Sequence, residues 1–288
     1  MAPTDVRAER VAGADGLHLS LDRSNLGAPS SVLLLHGGGQ TRHAWRRVHA
    51  DLSADGHEVV SLDQRGHGES DWSLDGRYTF RDYGADLAAV TATMANPPVF
   101  VGASLGGIAS IAAIGLIGVP AAGLVLVDIT TRPRPGGTSR IHEFMSANPD
   151  GFADLDEAAT AIDHHLPGRR VRSIDGLQRN LRRRDNGRWY WHWDPRILDH
   201  GPDRFGEHEA DELERAARRL VIPTMLIWGA QSDVVTVDEA EEFQRLVPHA
   251  EVQRLPEADH MLTGDRNDGF GDLIVDFVGR TPAGPLSP

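Results

Sequence analysis

One stretch constrains this chain more than any other: Val99-Phe100-Val101-Gly102-Ala103-Ser104-Leu105-Gly106-Gly107. Val99 to Val101 is a continuous apolar run, the pattern of a strand buried on both faces. Residues 102–106 fit G-x-S-x-G, and from Leu105 to about Gly118 the chain is apolar nearly all round, which predicts a buried helix. Strand, tight turn with a serine at its tip, then helix is the context that a nucleophile elbow requires. Gly102 and Gly106 carry no side chains to hold strand and helix apart, so a strained turn can carry Ser104 between them. The helix amino terminus beneath Ser104 favours negative charge developing beside it. A five-residue pattern is weak on its own, so its meaning depends on what surrounds it.

Strand and helix patterns alternate around this stretch. Residues 5–22 hold two short alternating segments about Gly13 and Gly16, which predict an opening antiparallel hairpin. Residues 31–35 (SVLLL) and 57–63 (HEVVSLD) read as strands, with a helix expected over 42–54 between them. Residues 78–94 have helical spacing, with Tyr83, Leu87 and Val90 on one face, and 123–129 (GLVLVDI) read as a further core strand. The alternation stops over 131–220. It resumes with a strand at 223–229, a helix at 236–246, a strand at 250–255 and a last helix near 267–278. The expected fold class is α/β: a doubly wound, mostly parallel sheet formed by 1–130 and 221–288, interrupted by an inserted cap over 131–220.

Composition removes several chemistries. All 29 basic residues are Arg, so lysine Schiff bases and Ser–Lys dyads are excluded. There is no Cys, which excludes thiol nucleophiles, disulfides and cysteine metal sites. His164-His165 lacks companions at ligand spacing and no H-E-x-x-H occurs, so neither metal nor cofactor is expected. A net charge of −13 disfavours nucleic acid and anionic membrane surfaces as partners. The opening residues MAPTDVRAER lack an apolar signal core, and no uncharged apolar run reaches 18 residues. A soluble cytoplasmic protein is the expectation.

Reactive groups of open α/β sheets gather at the carboxyl ends of the strands. Here those ends carry His36-Gly37-Gly38-Gly39, Asp63, Ser104, Asp128, Asp233 and the loop of His260. Five stretches in order, HGGG at 36–39, DQRGHGES at 63–70, GASLGG at 102–107, WGAQSDVV at 228–235 and ADHM at 258–261, resemble the α/β-hydrolase fold family. The resemblance spans nearly the whole chain outside 131–220, and the order Ser, Asp, His is that of the family. It implies an eight-stranded sheet with a mainly helical cap. Ser104 would be the nucleophile and His260 the general base, with the backbone N–H groups of Gly38 and Leu105 forming an oxyanion hole. For the acid it implies Asp233, four residues past Gly229, with Asp128 at the end of the preceding strand as the alternative. His36, Asp63, Arg65 and His67 are expected to tie down their own loops.

Within the cap, Trp189, Trp191 and Trp193 alternate and would share one face of an extended segment. They would either wall an apolar pocket or pack cap on core; Trp189 and Trp191 are the substrate-binding candidates. Arg182, Arg183 and Arg184 read as a solvated face or as partners of acidic surface. The activity implied is that of a serine hydrolase taking a small apolar ester, lactone or related carbonyl compound through an acyl-enzyme, and the same residues would serve C–C bond hydrolysis. A serine at the elbow, where dehalogenases and epoxide hydrolases of this fold carry aspartate, argues against those two chemistries. A cofactor-free, perhydrolase-like oxidoreductase of the same fold and a hydrolase-like ligand-binding protein are the alternatives.

Overall fold

The computed structural model describes residues 5–165, 177–178, 180–199, 206–256 and 268–282. The chain opens with the expected hairpin, β1 (Arg7–Ala12) and β2 (His18–Ser24). Then come β3 (Ser31–Leu35), helix α1 (Arg46–Ala54), β4 (Glu58–Leu62), α2 (Phe80–Thr91), β5 (Val99–Ala103), α3 (Leu105–Ala112) and β6 (Gly123–Val127). All five residues of β3, β4, β5 and β6 are buried, which is why they read as unbroken runs rather than as alternation. A capping box between Thr79 and Asp82 starts α2, two residues later than its apolar spacing begins. The helix after the elbow is α-helical to Ala112 and continues as one π-turn over Ala113–Ile117, ending at Gly118 with φ +83°.

Between β6 and the next sheet strand lie α4 (Pro135–Ser146), α5 (Leu155–His165), a two-stranded hairpin of β7 (Leu181–Arg183) with β8 (Trp189–Trp191), and α6 (Glu207–Ala217). The chain returns to the sheet with β9 (Thr224–Gly229), α7 (Val237–Leu246), β10 (Glu251–Leu255) and α8 (Asp268–Arg280). The sheet has eight strands in the order β1-β2-β4-β3-β5-β6-β9-β10; β2 runs antiparallel to both its neighbours, and from β4 to β10 every pairing is parallel. One face packs on α1 and α8 through Trp45, Leu52, Ile274 and Phe277; the other is covered by α2, α3 and α6.

The chain leaves β3 toward β4 on one side and returns to β5 on the other. The crevice between the carboxyl ends of β3 and β5 is therefore the switch point where ligands of such sheets bind. α6 packs on α3, bringing its Ala216 carbonyl so close that a Cβ on Gly115 would lie 2.4 Å from it. This helix thus covers the sheet rather than the crevice. The β7–β8 hairpin adds strand structure to a segment expected to be mainly helical. Its turn carries Asn186-Gly187, with Gly187 at φ +81°, and Arg184 lies 3.9 Å above the Tyr190 ring. Among the described residues no helix is long and apolar enough to cross a membrane.

Candidate active site

Ser104 sits at φ +44°, ψ −112°, a conformation that a residue with a side chain adopts only when its surroundings impose it. The glycines around it show what imposes it. A Cβ on Gly102 would lie 2.5 Å from the Gly106 backbone, and one on Gly106 would lie 2.5 Å from the Leu35 carbonyl oxygen. Strand and helix can close on each other only with both side chains absent. The turn is anchored by the Ser104 N–H on the Val127 carbonyl at 3.1 Å, and by the Gly107 and Ile108 N–H groups on the Ser104 carbonyl. Ala103 and Leu105 are buried while Ser104 is half-buried, so the serine is the point at which the elbow opens outward.

The glycine loop after β3 runs beside the elbow: a Cβ on Gly37 would lie 3.4 Å from the Ser104 Cβ. His36 holds this loop from below. Its Nε2 accepts the Gln64 N–H at 3.0 Å, so Nδ1 carries the proton and donates to the Gly37 carbonyl at 2.8 Å. Burial is the main cause that lowers its pKa to about 4, with Arg42 adding to the effect. The Gly37 N–H donates to Gln40 Oε1 at 2.9 Å and the Gln40 N–H to the Gly37 carbonyl at 3.1 Å. The 63–70 loop is tied down as its residue types suggest. Asp63 accepts the N–H groups of Arg42 (2.6 Å) and Glu69 (2.9 Å) and pairs with the Arg42 guanidinium; buried Arg65 grips Asp86 with two bonds at 2.6 and 2.9 Å.

Two carboxylates at the strand ends were candidates for the acid, and their surroundings differ. Asp128, at φ +52° directly after β6, is 1% exposed. It accepts the Gly229 N–H on Oδ1 at 3.2 Å and the Ser232 hydroxyl on Oδ2 at 2.7 Å. Ser232 is fixed in turn because its Oγ accepts the N–H groups of Val234 and Val235, each at 3.1 Å. Asp233, the next residue, has its carboxylate 3.1 Å from the Arg140 guanidinium of α4 and its side chain 30% exposed. Gly137 lets α4 approach this turn, since a Cβ there would lie 2.7 Å from the Asp233 carbonyl oxygen. His260 and the ADHM stretch lie outside the described residues; β10 brings the chain to this edge of the sheet at Leu255, parallel to β9.

The inserted segment brings apolar side chains to the glycine loop. Met145 of α4 would meet a Cβ on Gly38 at 3.6 Å and one on Gly39 at 3.4 Å, and the Trp193 ring would meet the latter at 3.4 Å. Trp193 stacks on Trp191 with centroids 4.8 Å apart and planes within 11°, while Phe144 packs against both. Trp189 stands farther out, exchanging backbone hydrogen bonds with Phe152 at 2.7 and 2.8 Å. Of the three alternating tryptophans, Trp193 borders the glycine loop, Trp191 backs it, and Trp189 closes the hairpin. Met145 and Phe144 carry no motif; only tertiary packing reveals them.

A match to the alpha/beta hydrolase fold family covers residues 30–266. An esterase of Mycobacterium tuberculosis is 30% identical, the alignment spanning 91% of this chain and 90% of that protein. A crystal structure of that esterase superposes with a TM-score of 0.75 at 28% identity, over 96% of this chain and 92% of the other. The crystal structure of E-2-(acetamidomethylene)succinate hydrolase superposes with a TM-score of 0.81 over 96% of this chain and all of that one, at 20% identity, a likeness of fold.

Proposed function

The chain belongs to the α/β-hydrolase fold family and is a hydrolytic enzyme; on that premise we propose that it cleaves small apolar carboxylic esters through an acyl-serine intermediate. Ser104 Oγ attacks the substrate carbonyl while His260 takes its proton, and the N–H groups of Gly38 and Leu105 hold the oxyanion. Collapse expels the alcohol, which receives the proton from His260. Water, deprotonated by the same imidazole, then releases the acid and restores the serine. The observation that carries this reading is the strained elbow of Ser104 beside the Gly37–Gly39 loop.

For the acid we assign Asp128 in place of Asp233. An acid that orients a histidine must be held still and shielded, and Asp128 is both, buried and hydrogen-bonded by the Gly229 N–H and the Ser232 hydroxyl. Asp233 is committed to Arg140. The substrate is read as apolar next to the scissile carbonyl, because Met145 and Trp193 are among the described residues that overlie the glycine loop. The test is hydrolysis of p-nitrophenyl butyrate by the wild type and by Ser104→Ala. Turnover that vanishes in the variant supports the reading, and turnover that survives refutes it.

A further inference from the structure

We propose that His192, contributed by the inserted segment, is a positioning residue for the oxyanion hole, tying the shape of the hole to the seating of that segment on the core. The inference rests on the serine-hydrolase reading above. His192 is 1% exposed and lies between two loops of the core. Its Nδ1 accepts the Gly68 N–H at 2.7 Å, so the neutral ring carries its proton on Nε2. That Nε2–H faces the Gly39 carbonyl at 3.4 Å. Gly39 follows Gly38, whose N–H is assigned to the oxyanion, and Gly39 sits at φ +73°, a position with wide backbone freedom unless something holds it.

Two other anchors of the loop act on Gly37: the His36 ring on its carbonyl, and Gln40 on its carbonyl and N–H. His192 acts on the opposite side of Gly38. The two histidines therefore bracket the oxyanion residue, one from the core and one from the insert. His67 fills the space between them, with ring centroids 5.0 Å from His36 and 6.0 Å from His192. His192 is itself well fixed. Its N–H donates to the Asn180 carbonyl at 3.2 Å, the Asp194 N–H donates to the Gly66 carbonyl at 2.9 Å, and the Trp193 ring stands edge-on to it at 5.3 Å. Burial, with His67 and His36 nearby, keeps its pKa well below the usual imidazole value, so the neutral form that can accept from Gly68 is the one present near neutrality.

A hole donor displaced by a fraction of an ångström acts on the transition state more than on bound substrate, so its loss lowers kcat rather than raising KM. The two bonds of His192 can be separated by substitution. Asparagine places an acceptor near Nδ1 and has nothing at Nε2; glutamine can place an N–H near Nε2; phenylalanine has neither. With native circular dichroism verified for each, p-nitrophenyl butyrate kinetics are expected to show kcat down about 10- to 100-fold in His192→Asn and His192→Phe, with KM within about twofold. His192→Gln should recover at least about tenfold of the loss in His192→Phe. Affinity for butylboronic acid, whose adduct places an oxygen in the hole, should fall in parallel with kcat/KM. Wild-type kcat in both His192→Asn and His192→Phe, with only a lower melting temperature, would overturn the proposal. So would His192→Gln as impaired as His192→Phe. Ser104→Ala measured alongside separates the two claims, since turnover persisting there removes the underlying reading instead.

Discussion

The Ser232 hydroxyl donates to Asp128 at 2.7 Å, tying the turn after β9 to the end of β6. Ser232 Oγ also accepts the Val234 and Val235 N–H groups, while its neighbour Asp233 pairs with Arg140, and the acid proposed above is the buried Asp128. Asp128→Asn is therefore expected to lower kcat by about 10,000-fold, as loss of the orienting acid does in other triads. Asp233→Asn removes a half-exposed ion pair and should change kcat by less than about fivefold. Steady-state kinetics on p-nitrophenyl butyrate check both; the reverse ranking would return the acid to Asp233.

Gly106 is a packing requirement of the elbow. A methyl group there would lie 2.5 Å from the Leu35 carbonyl oxygen, a backbone atom at the centre of the sheet that cannot move aside alone. Gly106→Ala should cost about 1–3 kcal/mol of stability and displace Ser104 enough to depress turnover. Urea unfolding and ester kinetics measure the two effects, and an unchanged midpoint would contradict the argument.

Met145 overlies Gly38 and Gly39 and is nearly fully buried. Truncation to alanine opens space beside the scissile carbonyl. Met145→Ala is expected to raise the ratio of kcat/KM for p-nitrophenyl octanoate over acetate by about tenfold, while costing about 2–5 kcal/mol of stability. A chain-length series with an unchanged ratio would show that the acyl group lies elsewhere.

Stability should fall on mild acidification. His36 has its pKa lowered to about 4 and His192 well below 6.5, whereas both titrate near 6.5 once unfolded. Below pH 6.5 the unfolded chain takes up protons that the folded chain refuses. The contribution is thus complete above that pH and is lost as pH falls toward the folded values. For His36 alone the full loss is about 3 kcal/mol. Urea unfolding at pH 7.5 and pH 5 should differ by a few kcal/mol in favour of pH 7.5; equal stabilities would contradict the buried neutral histidines.

What could be read in advance follows from how each feature is encoded. β3, β4 and β5 are buried end to end, so their burial is written as consecutive apolar residues. The elbow is legible because the close approach of β5 and α3 excludes side chains at Gly102 and Gly106. The structural roles of His36 and Asp63 also follow from their place in polar loops between strands. The acid was harder to read. Spacing puts both Asp128 and Asp233 at strand ends, and the contacts that set them apart, Ser232 on Asp128 and Arg140 on Asp233, join segments distant in sequence. The hairpin was written in Asn186-Gly187 and the period-two tryptophans, a local signal that the mainly helical cap implied by the family resemblance did not include. The positions of Met145 and His192 over the glycine loop arise from packing between segments distant in sequence, which no local pattern encodes.

The most direct measurement is reaction of the intact protein with a fluorophosphonate, followed by peptide mass spectrometry and assay of residual hydrolysis of p-nitrophenyl butyrate. The account predicts one adduct per chain, on Ser104, with hydrolysis lost in proportion to labelling. Hydrolysis that continues in fully treated protein, or an adduct on a different residue, would contradict it.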